Sequence, residues 1–237
     1  MSADAKLAVV TGALGNLGPV WCDALAGAGL QVVRVDIAGG DGVEQADVTD
    51  ADSLRAVLAN VGAPHVLVNN AGIDQAPDPN ATGGMSPEEF LRVLDVNTRG
   101  VFLSTQIFGS AMADEGRGSI INIGSLYASI APIPELYDHI PGFVKPPAYA
   151  ASKAGVIALT KYFARLWGPR GVRVNALSPG GVRAEQDSEF VRKYSARVPL
   201  GRMAELTDLT GPLLFLASDD SSYVTGHELR VDGGFTA

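Results

Sequence analysis

Cysteine is nearly absent from this chain: Cys22 is the only one in 237 residues. A lone thiol cannot close an internal disulfide, so a disulfide-stapled secreted scaffold is excluded. Cys22 falls inside a helical pattern and reads as a small buried core residue. Histidine is almost as scarce. His65, His139 and His227 are scattered without ligand spacing, so no metal site is expected. Basic clusters are missing as well. With 18 Lys and Arg against 26 Asp and Glu, the net charge is −8, which argues against a nucleic-acid partner and gives no support for an anionic membrane surface. No apolar run approaches the roughly 20 residues that span a bilayer, and the first six residues carry no signal-peptide pattern. The expected location is therefore cytoplasmic. Repeats, low-complexity tracts and linkers are lacking too. What is present, 46% hydrophobic residues, suffices for one large core, and residues 1–237 read as a single domain.

Strand-like and helix-like segments alternate along the whole chain. Apolar runs at residues 6–10, 30–36, 66–69, 118–123, 172–177 and 228–231 are separated by helical patterns, among them residues 86–112 and 206–217. That alternation predicts an α/β fold: a doubly wound parallel sheet of about seven strands with helices on both faces. Ser86-Pro87-Glu88-Glu89 reads as an N-cap, a first-turn proline and acids that suit the helix dipole.

The first strand runs straight into Thr11-Gly12-Ala13-Leu14-Gly15-Asn16-Leu17-Gly18, then a helical pattern, then a second strand closing on Asp36. Strand, glycine turn, helix, strand and acid make up a dinucleotide-binding unit. Glycines let the backbone turn sharply and approach a pyrophosphate, whose charge sits beside unpaired N–H groups at the helix N-terminus. Asp36 can accept both ribose hydroxyls of NAD, whereas against the extra phosphate of NADP it sets like charges together. Ile37 stands where a phosphate-binding arginine would otherwise be, and Arg34, two residues back, either forms a salt bridge or snorkels. NAD is the expected cofactor.

Tyr149 and Lys153 share one helix face at i and i+4. A free phenol titrates near pH ~10 and exchanges protons poorly at neutrality. A neighbouring ammonium favours the phenolate, and lowering the pKa by about 3 units takes roughly 4 kcal/mol. Such pairs also arise by chance on helices, so the pair gains meaning only from its surroundings.

Taken together in chain order, these features resemble the short-chain dehydrogenase/reductase family, single-domain type, over nearly the whole length. The matching pieces are the glycine turn with Gly12, Gly15, Asn16, Leu17 and Gly18, the acid Asp36 with Ile37, the pair Asp47-Val48, and Asn70-Ala71-Gly72 within Asn69-Asn70-Ala71-Gly72. Further along come Asn97, Ser125, Tyr149, Lys153 and Pro179-Gly180, and the ending from Val224 to Gly234. The resemblance implies a catalytic tetrad. Tyr149 would exchange a proton with the substrate oxygen while hydride moves to or from the nicotinamide. Lys153 would lower the phenol's pKa and bind the nicotinamide ribose, and Ser125 would donate to the same substrate oxygen. Asn97 would hold a water linking Lys153 to solvent. It also implies a homotetramer or homodimer.

Three departures stand out. Asn16 occupies the place of the family's usual middle glycine. Ala184 replaces a threonine that commonly touches the nicotinamide amide or phosphate, leaving the Val182 backbone for that role. Ser125 and Tyr149 stand 24 positions apart, where the family typically has about a dozen. The enlarged loop, residues 126–147, is rich in proline and therefore stiffened. Anchored at both ends on catalytic residues, it should overhang the substrate, although a merely structural loop is an alternative. Residues 181–201 form the expected substrate lid. Tyr127, His139 and Arg183 are candidate substrate contacts, with surface or packing roles as the alternative for His139 and Arg183. The polar loop suits a hydroxylated, carbohydrate-like substrate. The expected function is NAD(H)-dependent interconversion of a secondary alcohol and a ketone. The alternatives are a 3-oxoacyl-thioester reductase and a non-catalytic nucleotide sensor.

Overall fold

Four central strands carry the site, and they are buried because their residues are apolar on both faces. These are β1 (Leu7–Thr11), β4 (Val66–Asn69), β5 (Gly118–Ile123) and β6 (Val172–Pro179). β2 (Gln31–Asp36), β3 (Val43–Gln45) and β7 (Glu228–Val231) complete one sheet in the order β3-β2-β1-β4-β5-β6-β7. Every pairing is parallel. This computed structural model describes residues 6–78 and 80–237; residues 1–5, read above for a signal-peptide pattern, and Pro79 lie outside them.

Alternate strand residues feed two cores. Val9, Leu67, Ile120 and Val174 pack on α2 (Ala51–Val61), α4 (Gly100–Asp114) and α5 (Pro147–Trp167), through Leu54, Phe108, Met112, Phe163 and Trp167. Val10, Val68, Ile121 and Leu177 pack on α1 (Gly18–Gly27) and α7 (Thr207–Ala217), through Trp21, Leu25, Leu209 and Leu213. Cys22 lies buried in this second core. Period-two strands and period-3.6 helices thus meet face to face, the physical basis of the three-layer architecture.

The strand order reverses between β1 and β4, which opens a crevice at their C-terminal ends. Register brings those ends level: Thr11 pairs with Asn69, and Asn69 with Asn122. A buried polar ladder locks them, with Asn69 Nδ2 donating to Thr105 Oγ1 and Asn122 Oδ1, and Asn122 Nδ2 to Thr160 Oγ1.

The helix expected over residues 86–112 is present but not uniform. α3 (Pro87–Leu94) starts where Ser86 Oγ accepts from Glu89 N at 3.2 Å. It passes through a π-helical turn at Asp95–Arg99 into α4. β3 and α2 were not among the elements read from the sequence. β3 is too short for a periodic signal, while Leu54, Val57, Leu58 and Val61 carried one for α2.

The 126–147 loop folds as two 3₁₀ turns, Leu126–Ala128 and Pro134–Leu136, and buries Leu136 fully. Leu136 joins Leu126, Tyr194, Val198 and Met203 in a third, smaller core under α6 (Ser188–Arg197). Tyr137 packs on Phe143 and Phe190, ring centres 4.6 and 5.4 Å apart. Lys193 of α6 ion-pairs with Asp138, and Arg197 lies 3.9 Å from Glu135. The 126–147 loop and α6 therefore pack as one unit. Among the described residues no helix is long and apolar enough to cross a membrane.

Candidate active site

The glycine turn is built by sterics. Gly12 sits at φ +63°, and a Cβ there would lie 2.6 Å from Ala71 Cα. A Cβ on Gly18 would lie 2.4 Å from Gly12 O, so that glycine serves the packing of turn against helix and lines no cleft. Gly15 differs: a Cβ would meet only Gly12 O, at 3.4 Å, so its open side faces the crevice. Asn70 holds the turn in place, donating from Nδ2 to Gly12 O at 2.8 Å while its Oδ1 accepts from Trp21 Nε1. No side chain caps the start of α1, which leaves that helix end to a ligand.

A cleft of about 710 Å³ runs from this turn along the strand ends. It is lined by Gly12, Gly15, Asn16, Leu17, Asp36, Ile37, Asp47, Val48, Asn70, Ala71, Gly72, Tyr149 and Lys153 among the residues expected from the sequence. The Asp36 carboxylate takes one backbone N–H on each oxygen, from Leu14 at 2.9 Å and Ala38 at 3.1 Å. Each oxygen keeps accepting capacity for a further donor. Arg34 lies 3.9 Å from Asp23 and also bears on the Cys22 thiol. Asp47 Oδ1 is occupied by Thr49 N and Oγ1. The residues fit a dinucleotide: a glycine with an open face, an uncapped helix N-terminus, and an acid at the end of the second strand.

At the inner end of the cleft stand Tyr149 and Lys153, on the first turns of α5. Lys153 is 4% exposed, its Nζ donating to Ile123 O at 2.7 Å and lying 5.6 Å from the Tyr149 ring centre. Burial pushes the ammonium down to about 8, against a rise from the Asp74 carboxylate. Burial, with a smaller push from Asp74, carries the phenol up to about 12, and a hydrogen bond from Ser125 draws it part of the way back. This corrects the expectation of a phenol acidified by Lys153. In the protein alone, desolvation is the largest influence on the phenol.

Asn97 lies in the π turn, fully buried. Its side chain clamps Ile73, accepting from Ile73 N at 2.7 Å and donating to Ile73 O at 2.8 Å, with a further bond to Ser152 Oγ. Only one Oδ1 lone pair remains for the water expected there. A Cβ on Gly72 would meet Asn97 Oδ1 at 3.3 Å and Lys153 Nζ at 3.7 Å, so all three groups converge.

A second cleft of about 580 Å³ adjoins the first and shares Tyr149 and Asp74 with it. Ser125, Tyr127, Gly180 and Val182 line it, as do Tyr137, Phe143, Lys145, Gln186, Phe190 and Tyr194. Pro179 ends β6 and lines neither cleft. The Val182 carbonyl accepts from Gln186 Nε2. His139 and Arg183, expected as substrate contacts, also line neither cleft. The His139 ring nitrogens are engaged by Asp187 at 2.8 Å and Lys193 at 3.3 Å, in the seam between loop and lid. Arg183 is exposed, and its backbone N donates to Ala204 O. Asp74 was missed. Its position two residues after Asn70-Ala71-Gly72 was the available signal, but its charge mattered only once Lys145 was folded against it.

A family model described as enoyl-(acyl carrier protein) reductase matches residues 25–236. Galactitol 2-dehydrogenase (L-tagatose-forming) of Cereibacter sphaeroides is 36% identical, over 98% of this chain and 96% of its own. The chain belongs to the short-chain dehydrogenase/reductase family. A 3-oxoacyl-[acyl-carrier-protein] reductase of Thermotoga maritima is 34% identical over 99% of each chain. Among solved structures, a short-chain dehydrogenase from Leptospira borgpetersenii with bound NAD+ matches this family member with TM-score 0.88 and 35% identity, covering 98% of this chain and 93% of that one. A gluconate 5-dehydrogenase from Burkholderia cenocepacia, in complex with NADP and tartrate, matches with TM-score 0.86 and 31% identity, covering 99% and 96%. The Rossmann-type, seven-stranded parallel sheet is thus shared with its relatives.

Proposed function

We propose that the protein is an NAD(H)-dependent oxidoreductase that interconverts a secondary alcohol and a ketone on a polar, carbohydrate-like small molecule. One observation carries this reading: Tyr149, with Lys153 beside it, stands where a dinucleotide-sized cleft meets a second cleft lined by hydroxyl, amide, charged and aromatic groups.

The nicotinamide group, when bound, supplies hydride acceptance or donation. The chain supplies position and proton transfer. Tyr149 Oη gives its proton to a ketone oxygen or takes one from an alcohol. Ser125 donates to the same oxygen and supports the charge that develops there. Lys153, with its proton held near neutrality, is the cation beside the phenol, and the Asn97 clamp on Ile73 fixes the backbone past which Lys153 reaches. Gly12, Gly15 and the start of α1 would cradle the pyrophosphate, and Asp36 would take the ribose hydroxyls. NAD is favoured over NADP because Asp36 would face the extra phosphate while Arg34 pairs with Asp23, and like charges brought together cost several kcal/mol as an order of magnitude.

A polyol or sugar substrate is supported by the galactitol dehydrogenase relative and by the polar groups of the second cleft. The Thermotoga relative supports the 3-oxoacyl-thioester alternative, against which Asp36 and the ordered loop over the cleft weigh. Self-association as a dimer or tetramer is supported by the exposure of Leu91, Tyr162 and Leu166 on α3 and α5. A coupled NAD(P)(H) screen over polyols, aldoses, hydroxy acids and a 3-oxoacyl thioester tests the assignment, with Tyr149→Phe as the control. The variant should keep NADH binding by fluorescence and lose roughly 10²–10⁴-fold in turnover. Turnover within tenfold of wild type would remove Tyr149 from the acid–base role.

A further inference from the structure

One charged pair beside Tyr149 belongs neither to the tetrad nor to the dinucleotide cradle. Asp74 follows the Ile73 that Asn97 clamps, and it lines both clefts. Lys145, near the end of the 126–147 loop, ion-pairs with Asp74 Oδ2 and is 16% exposed. Its ammonium lies 5.7 Å from the centre of the Tyr149 ring, against 5.6 Å for that of Lys153.

We propose that Lys145 is a positioning residue that acts through Asp74: by pairing with this carboxylate it limits how strongly one negative charge bears on Tyr149 and Lys153. The inference rests on the reading of those two residues as the acid–base pair. Asp74 pushes both the same way, opposing ionisation of the phenol and favouring the ammonium. An unshielded carboxylate would hold both protons harder, and a site that must release a proton as well as bind one is then slowed. Lys145 supplies the countercharge, and it arrives on the loop that the lid helix holds through Lys193–Asp138 and Arg197–Glu135. Loop docking and proton affinity at the catalytic pair are therefore coupled. The other groups bearing on the phenol are Ser125, which draws its proton affinity down, and Tyr127, which raises it. Asp36, Asp47 and Arg92 line the same cleft, Arg92 being paired with Glu89.

The chain has five lysines, so ¹³Cε-lysine NMR on the whole protein resolves the Lys153 titration, with Lys153→Met identifying its signal. Lys145→Met should raise the Lys153 midpoint by about one pH unit, and Asp74→Asn should lower it by a similar amount. Lys145→Arg, which keeps the cation, should restore the wild-type midpoint. The pH limb of kcat/KM should move in the same directions. A structural role for Lys145 would lower stability without opposite-signed shifts. An unmoved midpoint in Lys145→Met, or movement of both variants in one direction, overturns the proposal. If Lys145→Met does not fold, Lys145→Gln takes its place: a raised midpoint supports the proposal and an unmoved one overturns it. The titration needs no substrate. Opposite shifts in a protein that turns over nothing in the screen would therefore defeat the proposed activity and leave the coupling standing.

Discussion

Replacing Lys153 by methionine should abolish turnover and yet make the protein more stable at neutral pH. Burial pushes the Lys153 ammonium to about 8, from an ordinary value of 10.5. Between those values the unfolded chain binds the proton and the folded one does not, so stability rises with pH across that window. Seen from the other side, this contribution is complete above pH 10.5 and is lost as pH falls through about 8. At ~1.36 kcal/mol per pH unit the difference comes to about 3 kcal/mol charged against the folded state at pH 7. The variant escapes it but gives up the hydrogen bond from Nζ to Ile123 O, about 1 kcal/mol at every pH. The expected outcome is a variant about 2 kcal/mol more stable than wild type at pH 7, with the advantage gone by pH 10. Urea unfolding of both proteins at one-unit steps measures it. The difference between them cancels the titration of Cys22 and of the buried tyrosines, which both proteins share. A difference that stays flat from pH 7 to 10 would refute the reasoning, since only a group with a displaced proton affinity gives it a slope.

Three further outcomes test other parts of the site. Asp36→Ser should raise the affinity for NADPH relative to NADH by one to two orders of magnitude, about 1.4–2.8 kcal/mol, measured by fluorescence titration; an unchanged ratio would separate Asp36 from cofactor choice. Gly12→Ala should cost at least about 2 kcal/mol in urea unfolding, because the new Cβ meets Ala71 Cα at 2.6 Å on a backbone held at φ +63°. Lys193→Met should speed proteolysis within residues 181–201 and raise KM more than it lowers kcat, since it cuts the tie between α6 and the 126–147 loop at Asp138 without touching Tyr149.

Much of the fold was legible because its signals are local. The apolar runs at residues 66–69, 118–123 and 228–231 became β4, β5 and β7 with the same bounds. Ser86 caps α3 as its position before proline and two acids implied. The acid closing β2 and the glycines of the turn were legible for the same reason: chain geometry over a few residues dictates them. The π turn around Asn97 was not, because it depends on a side chain bonding to Ile73, 24 positions earlier. His139 looked available for chemistry until the lid brought Asp187 and Lys193 to it. Asp74 was passed over although it follows Asn70-Ala71-Gly72 by two residues, because its partner Lys145 comes from 71 positions further along the chain.

The order of residues alone determined the parallel sheet, the dinucleotide cradle and the helix that presents Tyr149 and Lys153 together, since each follows from periodicity or steric fit within one segment. Tertiary structure alone decided the proton affinities. Burial is a property of everything packed around a group, and it turned a phenol expected to be acidified into one held up to about 12 and brought the Lys153 ammonium down to about 8. It also decided which charges meet: Lys145 and Asp74 stand 71 positions apart along the chain and in contact across the mouth of the site.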